Sequence, residues 1–137
     1  MKEITAYLNF DGNCREAMTF YKKCFGAELY LKPFSEAPFD SPPDAKEKIM
    51  HATLTKGHTL LMASDTMPGM NFQQGNNFAL NISCESLQEI EGLFAALGEQ
   101  GEVAMPLQET FWAARFGVLK DQFGISWIFN FEKPNQG

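Results

Sequence analysis

At 137 residues, 45% of them hydrophobic and 13% aromatic, the chain is long enough to bury one core and too short for two ordinary domains. A formal net charge of −6 disfavours the nonspecific phosphate attraction that nucleic-acid and anionic-membrane binding rely on, so neither partner is expected. No apolar run approaches the roughly 18–20 residues of a membrane span, and Met1-Lys2-Glu3-Ile4 lacks the layout of a signal peptide, which predicts a cytoplasmic protein.

Ile4 to Phe10 alternates and is rich in β-formers; the Asp11-Gly12-Asn13 turn follows, with Asn13 placed to cap a helix. From Cys14 to Phe25, Ala17, Met18, Tyr21 and Phe25 recur at helical spacing, and Gly26 supplies a stop. Ala27 to Phe34 reads as a strand. Pro38, Pro42 and Pro43 make Ser35 to Asp44 a long loop. Ile49 to Thr55 and His58 to Asp65 form a hairpin about a Lys56-Gly57 turn, and Thr66 to Asn76, with Pro68, Gly69 and Gly75, is a linker. Asn77 to Ser83 is a strand, Ser86 caps a helix from Leu87 to Leu97 that Gly98 ends, and Val103 to Thr110, Trp112 to Lys120 and Ile125 to Phe131 are three further strands.

Strand, helix, three strands thus occurs twice. One offset carries Leu8-Asn9-Phe10 onto Leu80-Asn81-Ile82, Met18 onto Ile90, Phe25 onto Leu97 and Gly26 onto Gly98; a shorter one carries Gly57 onto Gly124. The expected architecture is α+β: a single domain over 1–137 whose two βαβββ units, about 1–66 and 76–133, form a curved mixed-sheet cup with the helices on its outer face.

Tyr7 to Gly26 (YLNFDGNCREAMTFYKKCFG), Ile49 to Asp65 (IMHATLTKGHTLLMASD), Met105 to Gly117 (MPLQETFWAARFG) and Asp121 to Trp127 (DQFGISW) resemble the PhnB-like branch of the vicinal oxygen chelate superfamily. That superfamily includes glyoxalase I, extradiol dioxygenases and the fosfomycin and bleomycin resistance proteins. Proteins of the branch often carry the label demethylubiquinone methyltransferase. No glycine-rich nucleotide loop follows the first strand here, so that activity is not expected. The resemblance implies a divalent metal held from the first and last strands of each unit. Its ligand positions fall on Thr5, Leu61, Asn77 and Ile128, where histidine and glutamate are usual. Two aliphatic side chains cannot donate and the other two are weak neutral ligands, so neither the metal nor another cofactor is expected.

His51 is the candidate catalytic residue, with packed or hydrogen-bonded histidine as its simpler role. A two-residue Lys56-Gly57 hairpin would set it across from Met62, on the face opposite Leu61, whereas a longer loop would swing it toward the cup; His58 at the turn should be solvated. Tyr7 and Asn9 share the face of Thr5, and Asn81 that of Asn77. Phe111, Trp112 and Arg115 have the makings of a clamp for an anion or a planar ligand. Trp127 and Phe129 should face the helix layer as core, and Asp65 and Glu132 read as surface or dimer-contact acids. Cys14, Cys24 and Cys84 form no CxxC pair and read as reduced, mostly buried thiols; a nucleophilic Cys84 would need a base that is not nearby in sequence. Phe34, Phe39, Phe72 and Phe111 fall at the expected rim, where a ligand or second subunit would cover them.

The reading that follows is a homodimer that binds a small apolar or aromatic ligand through Tyr7, Asn9, Asn77, Asn81, Phe111, Trp112 and Arg115. The alternative is a divalent-metal-dependent lyase, isomerase or transferase with a nonstandard site that includes His51. Both binding alone and catalysis are compatible with these residues.

Overall fold

The computed structural model describes residues 1–67 and 69–132; Pro68 of the linker and Lys133, which closes the second expected unit, lie outside them. The chain divides into two compact units, Met1–Gln73 and Gln74–Gly137. The first contains β1 (Ala6–Phe10), α1 (Cys14–Phe25), β2 (Glu28–Pro33), β3 (Ile49–Lys56) and β4 (Thr59–Asp65). The second contains β5 (Leu80–Ser83), α2 (Leu87–Leu97), β6 (Glu102–Gln108), β7 (Ala113–Lys120) and β8 (Ser126–Glu132). Each unit carries a four-stranded mixed sheet of the same topology, β1-β4-β3-β2 and β5-β8-β7-β6, with its first strand parallel to its last. The expected α+β fold of two βαβββ units is therefore present.

In the first unit, Leu8, Phe10, Ala52, Leu54, Leu61 and Ala63 are buried on one face of the sheet, against Ala17, Met18 and Tyr21 of α1. Each large aliphatic side chain so removed from water contributes roughly 1.5–3 kcal/mol. The prolines of the 35–44 loop leave room only for short 3-10 turns at Phe34–Glu36 and Pro43–Ala45. Phe34 is 4% exposed, so the chain itself covers it and it is not a rim residue awaiting a ligand. In the second unit, Ile90 and Leu97 of α2 are buried, and Phe94 meets Phe129 edge to face at 5.1 Å. Trp127 and Phe129 are core, as their alternation predicts. A Cβ on Gly117 would lie 2.8 Å from both Phe94 and Leu107, so the absence of a side chain there lets α2 sit directly on β7.

The two helices start and stop differently. Asn13 occupies the N-cap position of α1, but its side chain makes no capping bond. Asp65, expected at the surface, is 3% exposed: its Oδ1 accepts the Cys14 N–H at 2.9 Å and its Oδ2 the Ile49 N–H at 2.8 Å. One carboxylate thus satisfies the first amide of α1 and the first of β3, a long-range tie that no local motif announces. At α2 the cap is local, with Ser86 Oγ accepting the Glu89 N–H at 3.0 Å and Glu89 Oε1 accepting the Glu85 N–H at 2.8 Å. Gly26 ends α1 in the left-handed region (φ 62°), whereas Gly98 is right-handed (φ −78°) and the positive φ falls on Gln100. Gly98 is small for a different reason: a Cβ there would come within 3.0 Å of the Phe94 carbonyl oxygen.

Cys14 and Cys84 are buried thiols. Burial, reinforced by the Asp65 charge, pushes Cys14 up to about 12; burial and then Glu89 push Cys84 up to about 11. Both shifts favour the protonated thiol and so disfavour a thiolate at Cys84. Among the described residues, no helix is long and apolar enough to cross a membrane.

Two outcomes follow. Asp65→Ala strands two buried amides and should destabilise the chain in urea by about 2–5 kcal/mol, while Asn13→Ala should cost no more than about 0.5 kcal/mol; equal losses would contradict the capping role assigned to Asp65. The thiols keep protons that the unfolded chain releases near pH 9, so their contribution is complete below that pH and is lost as pH rises toward 11 and 12. Cys84→Ala should therefore lose less stability between about pH 9 and 11 than the parent does, as followed by urea midpoints.

Candidate functional site

Because side chains alternate across a strand, burying Leu8, Phe10, Leu61 and Ala63 against α1 turns the intervening residues to the face that α1 leaves open. Strand pairing arranges them in rows. Tyr7 stands beside Met62, Met62 beside Thr53, and Thr53 beside Tyr30. In the next row Asn9 stands beside Ser64 and His51 beside Lys32, with Ser64 and His51 one residue beyond the Ala52–Ala63 pair. β4 runs between β1 and β3, so Tyr7 and His51 meet by leaning over it. The Tyr7 hydroxyl lies 3.1 Å from His51 Nδ1, and the rings are inclined at 29° with centroids 5.8 Å apart. With the imidazole proton on Nε2 the phenol donates to Nδ1; with both nitrogens protonated, Nδ1–H donates to the phenolic oxygen.

The hairpin turn is Gly57-His58, one residue later than expected, because Lys56 pairs with Thr59. His51 accordingly falls one residue beyond the Ala52–Ala63 pair, and Met62 pairs with Thr53 instead. His51 does lie on the face opposite Leu61, and that face is the open one it shares with Tyr7 and Asn9. His58 is exposed in the turn.

On the open face of the second sheet, Asn81 stands beside Ile128 and Ile128 beside Val118, while Ser83, Asn130 and Phe116 form the next row. The Asn81 amide donates to Ser83 Oγ at 3.2 Å. Trp112, just before β7, packs edge to face on Phe116 at 5.5 Å, and Phe111 packs on Trp112 at 4.7 Å. These contacts leave Phe111 90% and Trp112 49% exposed. Arg115 does not complete a clamp with them. It pairs with Phe131, one residue out of step with Phe116, and its guanidinium donates to the Ala114 carbonyl at 2.8 Å. Asn77 is exposed and precedes β5, which begins only at Leu80.

The metal positions implied by resemblance also change. Asn9 stands beside Ser64 and its repeat counterpart Asn81 beside Ile128, so pairing equates Ile128 with Ser64. Leu61, which counting from the turn glycine equates with Ile128, is 6% exposed and faces α1, because the odd offset between the turns reverses the face. A hydroxyl at Thr5, an amide at Asn77 and aliphatic groups at Leu61 and Ile128 do not fit a divalent ion; replacing Leu61 by Ser64 adds only another neutral hydroxyl. Among the described residues, no three His, Cys, Asp or Glu side chains come together as a metal-holding group.

Lys32, Ser64, Phe116 and Asn130 join these faces without having been singled out in the sequence. Alternation about Ile128 signals Asn130. Lys32 has no comparable signal, since a long loop separates β2 from its partner β3.

A family model described as 3-demethylubiquinone-9 3-methyltransferase matches residues 2–129. The chain is 33% identical to Protein YjdN of Escherichia coli K12 over 95% of each sequence. Among solved structures it is similar to protein PA1353 of Pseudomonas aeruginosa (44% identity, TM-score 0.89, 96% of this chain and 98% of that one). It is also similar to a putative 3-demethylubiquinone-9 3-methyltransferase, PhnB protein, of Bacillus cereus (28%, TM-score 0.78, 95% and 99%). A glyoxalase/bleomycin resistance protein/dioxygenase family enzyme of Burkholderia phytofirmans PsJN shares the fold (17%, TM-score 0.63, 93% and 98%). With its two βαβββ units and this match over nearly its whole length, the chain belongs to the PhnB-like 3-demethylubiquinone-9 3-methyltransferase family, of glyoxalase/bleomycin-resistance/dioxygenase fold.

Proposed function

We propose that this chain binds a small apolar or aromatic molecule on the open faces of its sheets, without a metal, as a cytoplasmic homodimer. The observation that carries the reading is the aromatic group at the start of β7. Phe111 and Trp112 are held in place by each other and by Phe116, yet remain largely exposed, which is an arrangement suited to accepting a ring. Neutral hydrogen-bonding groups accompany such a surface in each unit: Tyr7, Asn9 and Ser64 in the first, Asn81 and Ser83 in the second. These suit orientation of a ligand more than proton transfer, and His51 is engaged with Tyr7.

The family's methyltransferase description finds little support in the residues. The turn between β1 and α1 contains a single glycine, Gly12, and the first amide of α1 is already bonded to the Asp65 carboxylate. The homodimer is supported by β6, an edge strand on which Val103 and Met105 are 49% and 38% exposed. Three free cysteines suit a reducing compartment.

Calorimetric titration with 2-naphthol tests the reading. Saturable binding is expected, weakened roughly fivefold to tenfold in Trp112→Ala, the worth of one aromatic contact. Dialysis against EDTA should leave it unchanged. Binding that disappears with EDTA and returns with a divalent ion would establish the metal-dependent alternative, and absence of saturable heat would remove the aromatic-ligand reading.

A further inference from the structure

The open face of the first sheet carries a localised positive end. Lys32 is the register partner of His51, and antiparallel partners project from the same face with Cβ atoms roughly 4.5–5.5 Å apart. Tyr7 reaches His51 from the other side at 3.1 Å, so the face runs Tyr7, His51, Lys32 from β1 to β2. Tyr7 is 44% exposed, and His51 and Lys32 are half-buried, which leaves all three within reach of a ligand.

The other strand residues on this face are nearly all uncharged. β4 contributes Leu60, Met62 and Ser64, β3 contributes Thr53 and Thr55, and β1 contributes Asn9. β2 adds Tyr30 and Glu28; Glu28 pairs with Thr55, about 13 Å along the strand from Lys32. α1 covers the opposite face and presents nothing to His51.

We infer that Tyr7, His51 and Lys32 form a subsite for a small anion, either a carboxylate or a tetrahedral oxyanion. The inference rests on the small-molecule-binding reading and specifies the charge of the group bound. While His51 is neutral with its proton on Nε2, the Tyr7 hydrogen is spent on Nδ1. Protonation of His51 reverses that bond: Nδ1–H donates to the phenolic oxygen, and the phenolic hydrogen turns outward. A single proton therefore adds a positive charge beside Lys32 and frees a second donor at Tyr7, so anion binding and proton uptake strengthen one another.

The chain has only two histidines, and His58, exposed in the β3–β4 turn, serves as an internal reference. The test is a proton NMR titration of both imidazoles in chloride, sulfate and acetate at matched ionic strength. Sulfate or acetate should raise the His51 midpoint by about 0.5–1 unit, a roughly three- to tenfold preference for the imidazolium form, while His58 stays put. A response to sulfate alone assigns the tetrahedral class, and to acetate alone the carboxylate class. Lys32→Gln on this open face should cut the shift to less than half, with the unchanged His58 titration and amide spectrum reporting an intact fold. Equal movement of both histidines, no movement of His51 with either anion, or a full shift in Lys32→Gln overturns the subsite. Saturable 2-naphthol binding with an unmoved His51 overturns the anion subsite alone and leaves the binding function standing.

Discussion

The buried Asp65 carboxylate organises the first unit. It sits at the end of β4 and accepts hydrogen bonds from the first amide of α1, just beyond β1, and from the first amide of β3. β1 carries Tyr7 and β3 carries His51, two residues after the bonded Ile49. The same carboxylate that starts the helix therefore also fixes the first residue of β3, the strand that carries His51. A buried charge of this kind is tolerated because protein amides replace its water, and losing it leaves those amides without acceptors.

In the second unit the comparable buried carboxylate does a different task. Asp121 accepts from the Phe123 and Ile125 amides and from the Trp127 indole, holding the β7–β8 turn and a core side chain instead of a helix start. α2 begins on its own local cap. The two units share a topology and solve its local problems with different residues, which is why the internal repeat is visible in apolar spacing and glycines and absent from the polar ties.

Those differences extend to the open faces. The first unit presents hydroxyl, amide, imidazole and ammonium groups in adjacent rows; the second presents Ile128 and Val118 beside an exposed aromatic group. The positions that a metal would need on the family's fold carry aliphatic or neutral groups, while the hydrogen-bonding side chains and the exposed rings lie elsewhere on these faces. The thiols stand apart from them, their protonated form favoured by burial.

Much of this architecture is legible in the sequence because its signals are local. The spacing of Ala17, Met18 and Tyr21 specifies α1, and alternation around Ile128 correctly sends Trp127 and Phe129 inward. Repetition of strand, helix and three strands identifies the fold, and the motifs from Tyr7 to Trp127 identify the family. What failed depended on the register of strand pairing. A turn displaced by one residue gave Met62 to Thr53 in place of His51, and an odd offset between turns put Leu61 against the helix. A side-chain period of two converts each single-residue error of register into a change of face. The sequence by itself determined which residues make strands and helices, because propensity and periodicity act over a few neighbours. Only the tertiary structure decided that Asp65 is buried, that Tyr7 meets His51 and that Lys32 stands beside it, because hydrogen-bond register joins strands separated by long stretches of chain.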